Sequence, residues 1–489
     1  LLLFFSVLLF TICKGQNTFN NYYQSGKLSM ANHIQVLPSN NYIFTAYFKD
    51  SITSQQGVEY RKLNNEGNTI LRKRYFNGTE GIGSFFRNCI VSELNVNSFI
   101  FTSGTNKGSD NTVYIAAIDK NTLDTLWTKN YGLIGNNYYM NSIYKVKPNE
   151  IWLIGTRAST IDVLRPIILK FDTLGNFISS KEFLTYTNYE CYSIDFDIVN
   201  AKIYFAGNNF NTSPSGYNIA CLDTSGNVLW NKNIVNSNVF YTTIKHVNND
   251  LICIGNIKYS QVSTFGEQKL LFSKYNSYNG NLILNKTYGQ EFLSNYLYGM
   301  TVQSNNNIIL VGSYAKPPLF SSYRHDGIII KVNSSGDSLW CRTFNNFPNN
   351  VTCGETFFDI KETNDGGFIM CGAPLFAPTP QSQTWVVKTD SLGLAPGAIT
   401  VGFNADDKIN ATNFDVLVYP NPFNNVFNVK TNANLNTEVV IKTIEGKLIL
   451  QLTLNDFNTT INLNDYAQGI YFATFKTKEK QKTIKLIKN

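Results

Sequence analysis

NAKIYFAGNNFNTSPSGYNIACLDTSGNVLWNKN, residues 200–233, holds the pattern that decides the fold. An apolar run closes on Gly207, and a polar stretch follows. A second apolar run ends in Asp223-Thr224-Ser225-Gly226, and a third carries Trp230. Short apolar runs bounded by Gly, Asn, Asp and Ser read as strands joined by turns. In such turns an Asx side chain bonds the backbone and Gly accepts positive φ.

Working outward, the same order recurs. The run that ends near Gly appears as NYIFTAYF (41–48), NSFIFTSG (97–104), EIWLIG (150–155), AKIYFAG (201–207), DLICIG (250–255), NIILVG (307–312) and GGFIMCG (366–372). An apolar position in the strand before it gives an independent count: Ile34, Ile90, Ile143, Ile194, Ile244, Met300 and Ile360. The strand after it gives a third, from VEYRKLNNEG (58–67) to VVKTDSLG (386–393). Each unit has four antiparallel strands, and one unit alone cannot cover both faces of its sheet. Radial repetition solves this, so residues 17–397 read as an all-β, seven-bladed β-propeller.

The fourth strand carries Trp127, Trp230 and Trp340, with lighter versions at Leu71, Ile178 and Leu284. These are expected to pack one blade on the next. The seventh unit lacks a fourth strand of its own. Asn17–Gly26 (NTFNNYYQSG) resembles the endings of other fourth strands, so it is expected to complete that blade. An unpaired sheet edge would otherwise be left there.

The recurring turn invites two sharper readings. Asp223 to Gly226 resembles the Asp-box of sialidase-like propellers, but with one residue too many. Asp119-Lys120-Asn121-Thr122 followed by Trp127 resembles the tryptophan-docking repeat of quinoprotein dehydrogenases, but Leu123 stands where Gly belongs. A plain hairpin turn accounts for both.

Charged residues make up 15% of the chain and aromatics 14%, so amide, hydroxyl and phenol groups carry the polar surface. The net charge of +7 is spread along the chain, without the basic stripe that nucleic acid requires. Cys89, Cys191, Cys221, Cys253, Cys341, Cys353 and Cys371 are widely spaced. They form no CxxC pair, and His33, His246 and His325 are the only imidazoles, so neither metal nor cofactor is expected. Cys221, Cys253 and Cys371 read as buried thiols, with Cys341–Cys353 the one candidate bridge. No nucleophile elbow, zincin motif or phosphate loop occurs. Asp195 and Asp197 share a strand face as a candidate acid pair, or as structural carboxylates.

In a propeller, connections from the fourth strand of one blade to the first of the next gather at one channel mouth. Here they bring Tyr138, Tyr139, Tyr186, Tyr189, Phe240, Tyr241, Tyr296 and Tyr298, interleaved with Asn. Aromatic faces beside amide donors suit sugar rings or extended peptides. The expected activity is non-catalytic binding or adhesion to glycan, peptide or protein. The alternative is a propeller hydrolase or lyase acting on polysaccharide.

The two ends concern destination. Leu1–Ile12 is nearly all apolar and spans about 18 Å as a helix, against about 30 Å for a bilayer core. Residues 1–15 are therefore expected to be a secretory signal peptide lacking its start, with cleavage near Gly15–Gln16. No later run is apolar and long enough to span a membrane. The stretch 398–413 (AITVGFNADDKINATN) has no sustained apolar period and reads as a linker.

Residues 414–489 alternate apolar and polar with period two and read as a small Ig-like β-sandwich. They contain Tyr419-Pro420-Asn421-Pro422, then Ile444-Glu445-Gly446-Lys447, then Leu463 through Gly469 to Tyr471. In that order these motifs resemble the C-terminal sorting domain of cargo of the type IX secretion system of Bacteroidetes. The resemblance implies a translocon and a surface sortase as partners, and a secreted or surface-attached product. Lys476, Lys478, Lys480, Lys482, Lys485 and Lys488 close the chain and are expected on the solvent face of an edge hairpin.

Overall fold

The structure is a computed structural model. It describes residues 16–489 except 25, 27, 77–81, 83–88, 108–109, 134, 160–163, 183–188, 210–215, 235–238, 259–267, 290–293, 316–324, 347–353, 376–382, 402–415, 432–436, 455–457 and 478–480. The expected signal peptide lies outside these residues. No helix among them is long and apolar enough to cross a membrane.

The described residues form an all-β propeller of seven blades followed by a small β-sandwich. The first blade comprises Leu28–Val36, Tyr42–Lys49, Gln56–Leu63 and Thr69–Tyr75, each antiparallel to the last. Five blades follow with the same order, their innermost strands being Ile90–Glu93, Asn136–Lys147, Tyr189–Asp197, Val239–Val247 and Tyr296–Val302. The seventh takes Gly354–Glu362, Phe368–Leu375 and Thr384–Thr389 from its own unit. Its fourth strand is Phe19–Tyr23, antiparallel to Thr384–Thr389 with Phe19 opposite Lys388. The ring therefore closes by joining the two ends of the repeat region.

Every turn that leaves a third strand is built alike. Asn64, Asp119, Asp172, Asp223, Asn276, Asn333 and Asp390 each accept backbone N–H groups of their own turn. Asn serves as well as Asp, so the position needs an acceptor rather than a charge. This is the plain hairpin turn, and it explains why both motif look-alikes fail at the same place. In the second blade Leu123 takes the turn conformation itself, with φ 58°.

The fourth-strand column packs each blade on the next. Trp127 covers Gly175, Trp230 covers Gly280 and Trp340 covers Gly393, each glycine lying in the following blade's turn. These tryptophans are half-buried rather than enclosed. The third blade departs from expectation: Ser179, not Ile178, stands opposite Lys170 in this column. The first six blades share a bulge at this point, and Ile178 is its exposed extra residue, as Ile70, Leu126, Leu229, Ile283 and Leu339 are in theirs. Among the described residues the remaining core lies in these seams, and Trp152 and Trp385 are its largest fully buried side chains.

Two further expectations are corrected. The stretch read as linker begins as structure: Ala398–Val401 pairs antiparallel with the outer strand of the sixth blade, Ala398 opposite Phe344. Four residues are too short to show an apolar period, so the strand was invisible in sequence. Cys341 is a free buried thiol, as are Cys89, Cys221, Cys253 and Cys371; Cys353 lies outside the described residues.

The C-terminal sandwich pairs Val416–Tyr419, Val426–Thr431 and Asn458–Asn462 in one sheet. The other runs Leu448–Leu454, Thr437–Thr443, Gly469–Lys476 and Gln481–Lys488. Phe423, Phe427, Val439, Ile441, Tyr471, Phe475 and Leu486 fill the space between them. The last strand is an edge, as expected, with Lys485 exposed. Lys488 is the exception: it is buried, and its Nζ donates to the Tyr466 carbonyl oxygen at 2.8 Å.

The channel cavity as candidate functional site

The inner strands line a central channel, and each described one that can be followed through this level is interrupted alike. Register shifts fall between Ala31 and His33, Met140 and Ser142, Cys191 and Ser193, Tyr241 and Thr243, Leu297 and Gly299, and Phe357 and Asp359. Such bulges add a residue that the neighbouring strand does not pair. The added residues include Asn32, Asn141, Thr242, Tyr298 and Phe358, and all five line one cavity of about 330 Å³. Opposite five of these six bulges stands the glycine that ends the second-strand run, and opposite the first-blade bulge stands Ala46. A Cβ at Gly155, Gly255, Gly312 or Gly372 would overlap the carbonyl oxygen of Tyr139, Phe240, Tyr296 or Thr356. The repeated glycine thus makes room for the bulge, and the bulge shapes the cavity.

Charged groups enter beside the repeated apolar column. Asp359 of the seventh blade receives His33 Nδ1 at 2.5 Å and the Ile34 N–H at 3.0 Å from the first blade. Lys361 Nζ reaches its two oxygens at 2.7 and 2.9 Å. Gln35 Nε2 lies 3.3 Å from His33 Nε2. Burial opposes the charge on Asp359, but Lys361 and His33 outweigh it and hold the carboxyl well below the usual range.

A similar link joins the fourth and fifth blades. Asp195 accepts Lys245 Nζ at 2.9 Å and the His246 N–H at 2.7 Å. Desolvation opposes the Lys245 charge, yet Asp195, Tyr144 and Asp359 together raise its ammonium above the usual lysine range. Asp359 and Asp195 therefore satisfy N–H groups of an inner edge strand that has no further strand to pair with. Asp197 holds its own hairpin through the Val199 and Asn200 N–H groups. Asp195 and Asp197 thus each take a structural role, accepting backbone N–H groups.

The tyrosines expected at the mouth separate. Tyr138 is 2% exposed and packs edge-on against Tyr131 in a seam. Tyr241 is 3% exposed and its hydroxyl bonds Ser273 and Tyr275. Both are seam residues and are withdrawn from the ligand face, because each lies where neighbouring blades close on it. Phe240 also packs edge-on, against Tyr217. Tyr139 and Tyr296 stay half-exposed, and Tyr296 stacks on Tyr298 with ring centroids 6.1 Å apart. Tyr186 and the Tyr189 side chain lie outside the described residues.

Sequence reasoning missed Asn32, His33, Lys245, Asp359 and Lys361. A signal was present: His33 and Asp359 directly precede the repeated apolar column, and Lys245 and Lys361 directly follow it. Among the described residues, no group of three His, Cys, Asp or Glu could hold a metal ion.

In the C-terminal sandwich the motif residues take structural roles. Asn421 donates to the Lys485 carbonyl oxygen at 2.6 Å and accepts the Ile487 N–H at 2.8 Å, clamping the last strand. Tyr471 is buried and its hydroxyl donates back to the Ala467 carbonyl oxygen at 2.5 Å. Gly446, with φ 87°, and Lys447 form an exposed turn. Gly469 opens the Tyr471 strand, Pro420 and Pro422 are exposed beside Asn421, and Tyr419 ends the first strand.

Residues 417–489 match the family described as the secretion system C-terminal sorting domain. That domain marks proteins exported by type IX secretion to the cell surface or the extracellular space, and it implies contact with that machinery. No curated protein sequence matches the chain. Among solved structures, similarity extends to PorZ, a surface component of the type IX secretion system of Porphyromonas gingivalis. It is 13% identical, with 92% of this chain and 69% of that chain covered and a TM-score of 0.33. Prolyl oligopeptidase B from Galerina marginata is 8% identical, with 85% and 56% covered and a TM-score of 0.44. Sqt1 from Chaetomium thermophilum, bound to the N-terminus of ribosomal protein L10, is 10% identical, with 76% and 98% covered and a TM-score of 0.40. At these values none of the three bears on activity.

Proposed function

We propose that this chain is an exported binding protein, whose propeller takes the end of a glycan into its channel without transforming it. The cavity carries this reading. Its volume of about 330 Å³ falls at the lower end of the range usual for small-ligand sites, about 300–1,000 Å³. Its wall combines the Tyr298 and Phe358 rings with Asn32, Asn141, Ser92, Ser142 and Thr242, a mixture suited to a sugar's apolar face and hydroxyl rim. The carboxylates nearest the cavity are engaged by backbone N–H groups and lysines, which supports binding over general acid–base chemistry. The sorting domain is proposed to be removed by a surface sortase after delivery.

A glycan array probed with the full chain tests the reading. Retention of a defined class of glycan, with no new reducing or unsaturated ends after long incubation, is expected. Product formation would instead establish the polysaccharide hydrolase or lyase. Retention of none would remove the glycan as ligand.

A further inference from the structure

The cavity wall has an imbalance that points to the ligand's charge. The Asp359 oxygens accept from His33, Lys361 and the N–H groups of Ile34 and Ile360. Asp195, next to the cavity, accepts from Lys245 and the His246 N–H. The acceptor capacity of these two carboxylates is thus largely used.

Donor capacity is not. Each ammonium carries three N–H bonds. Lys361 directs contacts to Asp359 and a long one, 3.4 Å, to the Ile360 carbonyl oxygen. Lys245 has Asp195. Both lysines line the cavity, and their side chains keep 41% (Lys245) and 29% (Lys361) of their surface open to water. They come from the fifth and seventh blades, and Lys245 feels the Asp359 charge that Lys361 pairs with, so the two ammoniums share one field. The Asn32 side chain on the same wall is 9% exposed, and its Nδ2 has no hydrogen-bond partner among the described residues.

A wall whose carboxylates are engaged while its ammoniums keep open donors is completed by a ligand that brings an anionic acceptor. We infer that the cavity binds the carboxylate of an acidic sugar, a uronate-type unit, between Lys245 and Lys361. The inference rests on the glycan reading proposed above and gives it a substrate class. Charge-assisted hydrogen bonds to a carboxylate are about twice as strong as neutral ones, so the acid should dominate selection.

The test varies the ligand before the protein. The full chain is titrated calorimetrically with a uronate oligosaccharide, its methyl ester, a neutral oligosaccharide of equal length and an acidic peptide. The uronate is expected to bind about tenfold or more tightly than its ester, and to weaken as salt rises. The Lys361→Met variant, with folding checked by its melting curve, is expected to erase that preference. Equal binding of uronate, ester and neutral sugar would overturn the inference while leaving glycan binding intact. Binding of the peptide alone, or of nothing, would overturn both.

Discussion

Tyr23, on the strand that enters the seventh blade from the far end of the repeat region, donates its hydroxyl to the Gly67 carbonyl oxygen of the first blade across 2.5 Å. The same latch occurs in ordinary seams, from Tyr75 to Leu123 at 2.5 Å and from Tyr288 to Gly336 at 2.6 Å. Phe19 repeats the second element of those seams. It occupies the tryptophan column, and a Cβ at Gly67 would come within 2.8 Å of its ring. The closing seam is therefore chemically the same as the others, although it joins residues far apart in the chain.

Removing that strand should open the ring. A chain beginning at Lys27 loses Phe19 and Tyr23 from the core shared by the first and seventh blades. Loss of the Phe19 ring alone is expected to cost about 3–5 kcal/mol. Thermal melts should place this chain well below one beginning at Gln16; equal melting temperatures would refute ring closure by this strand.

Alkali should attack the same seam. Burial pushes the Tyr23 phenol up to about 12, with Asn21 and Arg61 opposing it, from an ordinary value of 10.0. The unfolded chain loses this proton first, so stability holds up to about pH 10 and falls as the pH rises toward 12. The Tyr23→Phe variant should be less stable by about 1–2 kcal/mol at neutral pH, since the Gly67 carbonyl is left unpaired. Its stability should also fall less steeply between pH 10 and 12 in urea titrations.

Acid stability tests the Asp359 cluster. Its carboxyl lies below the ordinary value of 3.8, so its contribution is present above that pH and is lost as the pH falls further. Asp359→Asn should cost about 2 kcal/mol at pH 7, between the limits for exposed and buried pairs. Below about pH 4 its stability should change less with pH than that of the parent chain.

The bulge has its own test. Gly312→Ala places a methyl group on the Tyr296 carbonyl oxygen, so the inner strand must shift or the bulge must flatten. Overpacking of this kind costs about 1–3 kcal/mol. Ligand binding should weaken as well, because Tyr298 is the residue the bulge delivers to the cavity. Gly104→Ala is the control, since its built Cβ meets its nearest neighbour only at 4.0 Å.

Delivery makes a further prediction. Ala398–Val401 is held in the sheet of the sixth blade and is protected from proteolysis there. If a sortase removes the sorting domain, mass spectrometry of surface protein should find the mature end beyond Val401 and before Tyr419. A surface form retaining Tyr419–Asn489 in cells with a working sortase would contradict the proposal.

The repeat was legible because packing imposes it. Each blade needs the same apolar column, a small residue opposite the inner strand (glycine in all but the first) and the same turn, so the pattern survives large changes elsewhere. The sorting domain was legible for a similar reason, since Asn421 and Tyr471 bond backbone atoms that any member of that fold presents. The candidate site was less so. Tyr138 and Tyr241 looked like ligand residues because period-two alternation does not say which side of a blade is closed by its neighbour. His33 and Asp359 lie at opposite ends of the repeat region, and only ring closure brings them to 2.5 Å. A bulge leaves no mark on its own strand; its trace was the glycine across from it.

The central claim is that the channel cavity is where ligand binds, and filling it tests this most directly. Ser92 lines the cavity and is half-buried, so Ser92→Trp should plug the space with little change to the seams. Calorimetric titration of the full chain with an array-identified glycan should show binding for the parent and none for Ser92→Trp, at matched melting temperatures. Unchanged affinity in the plugged variant would place the ligand elsewhere and contradict the account.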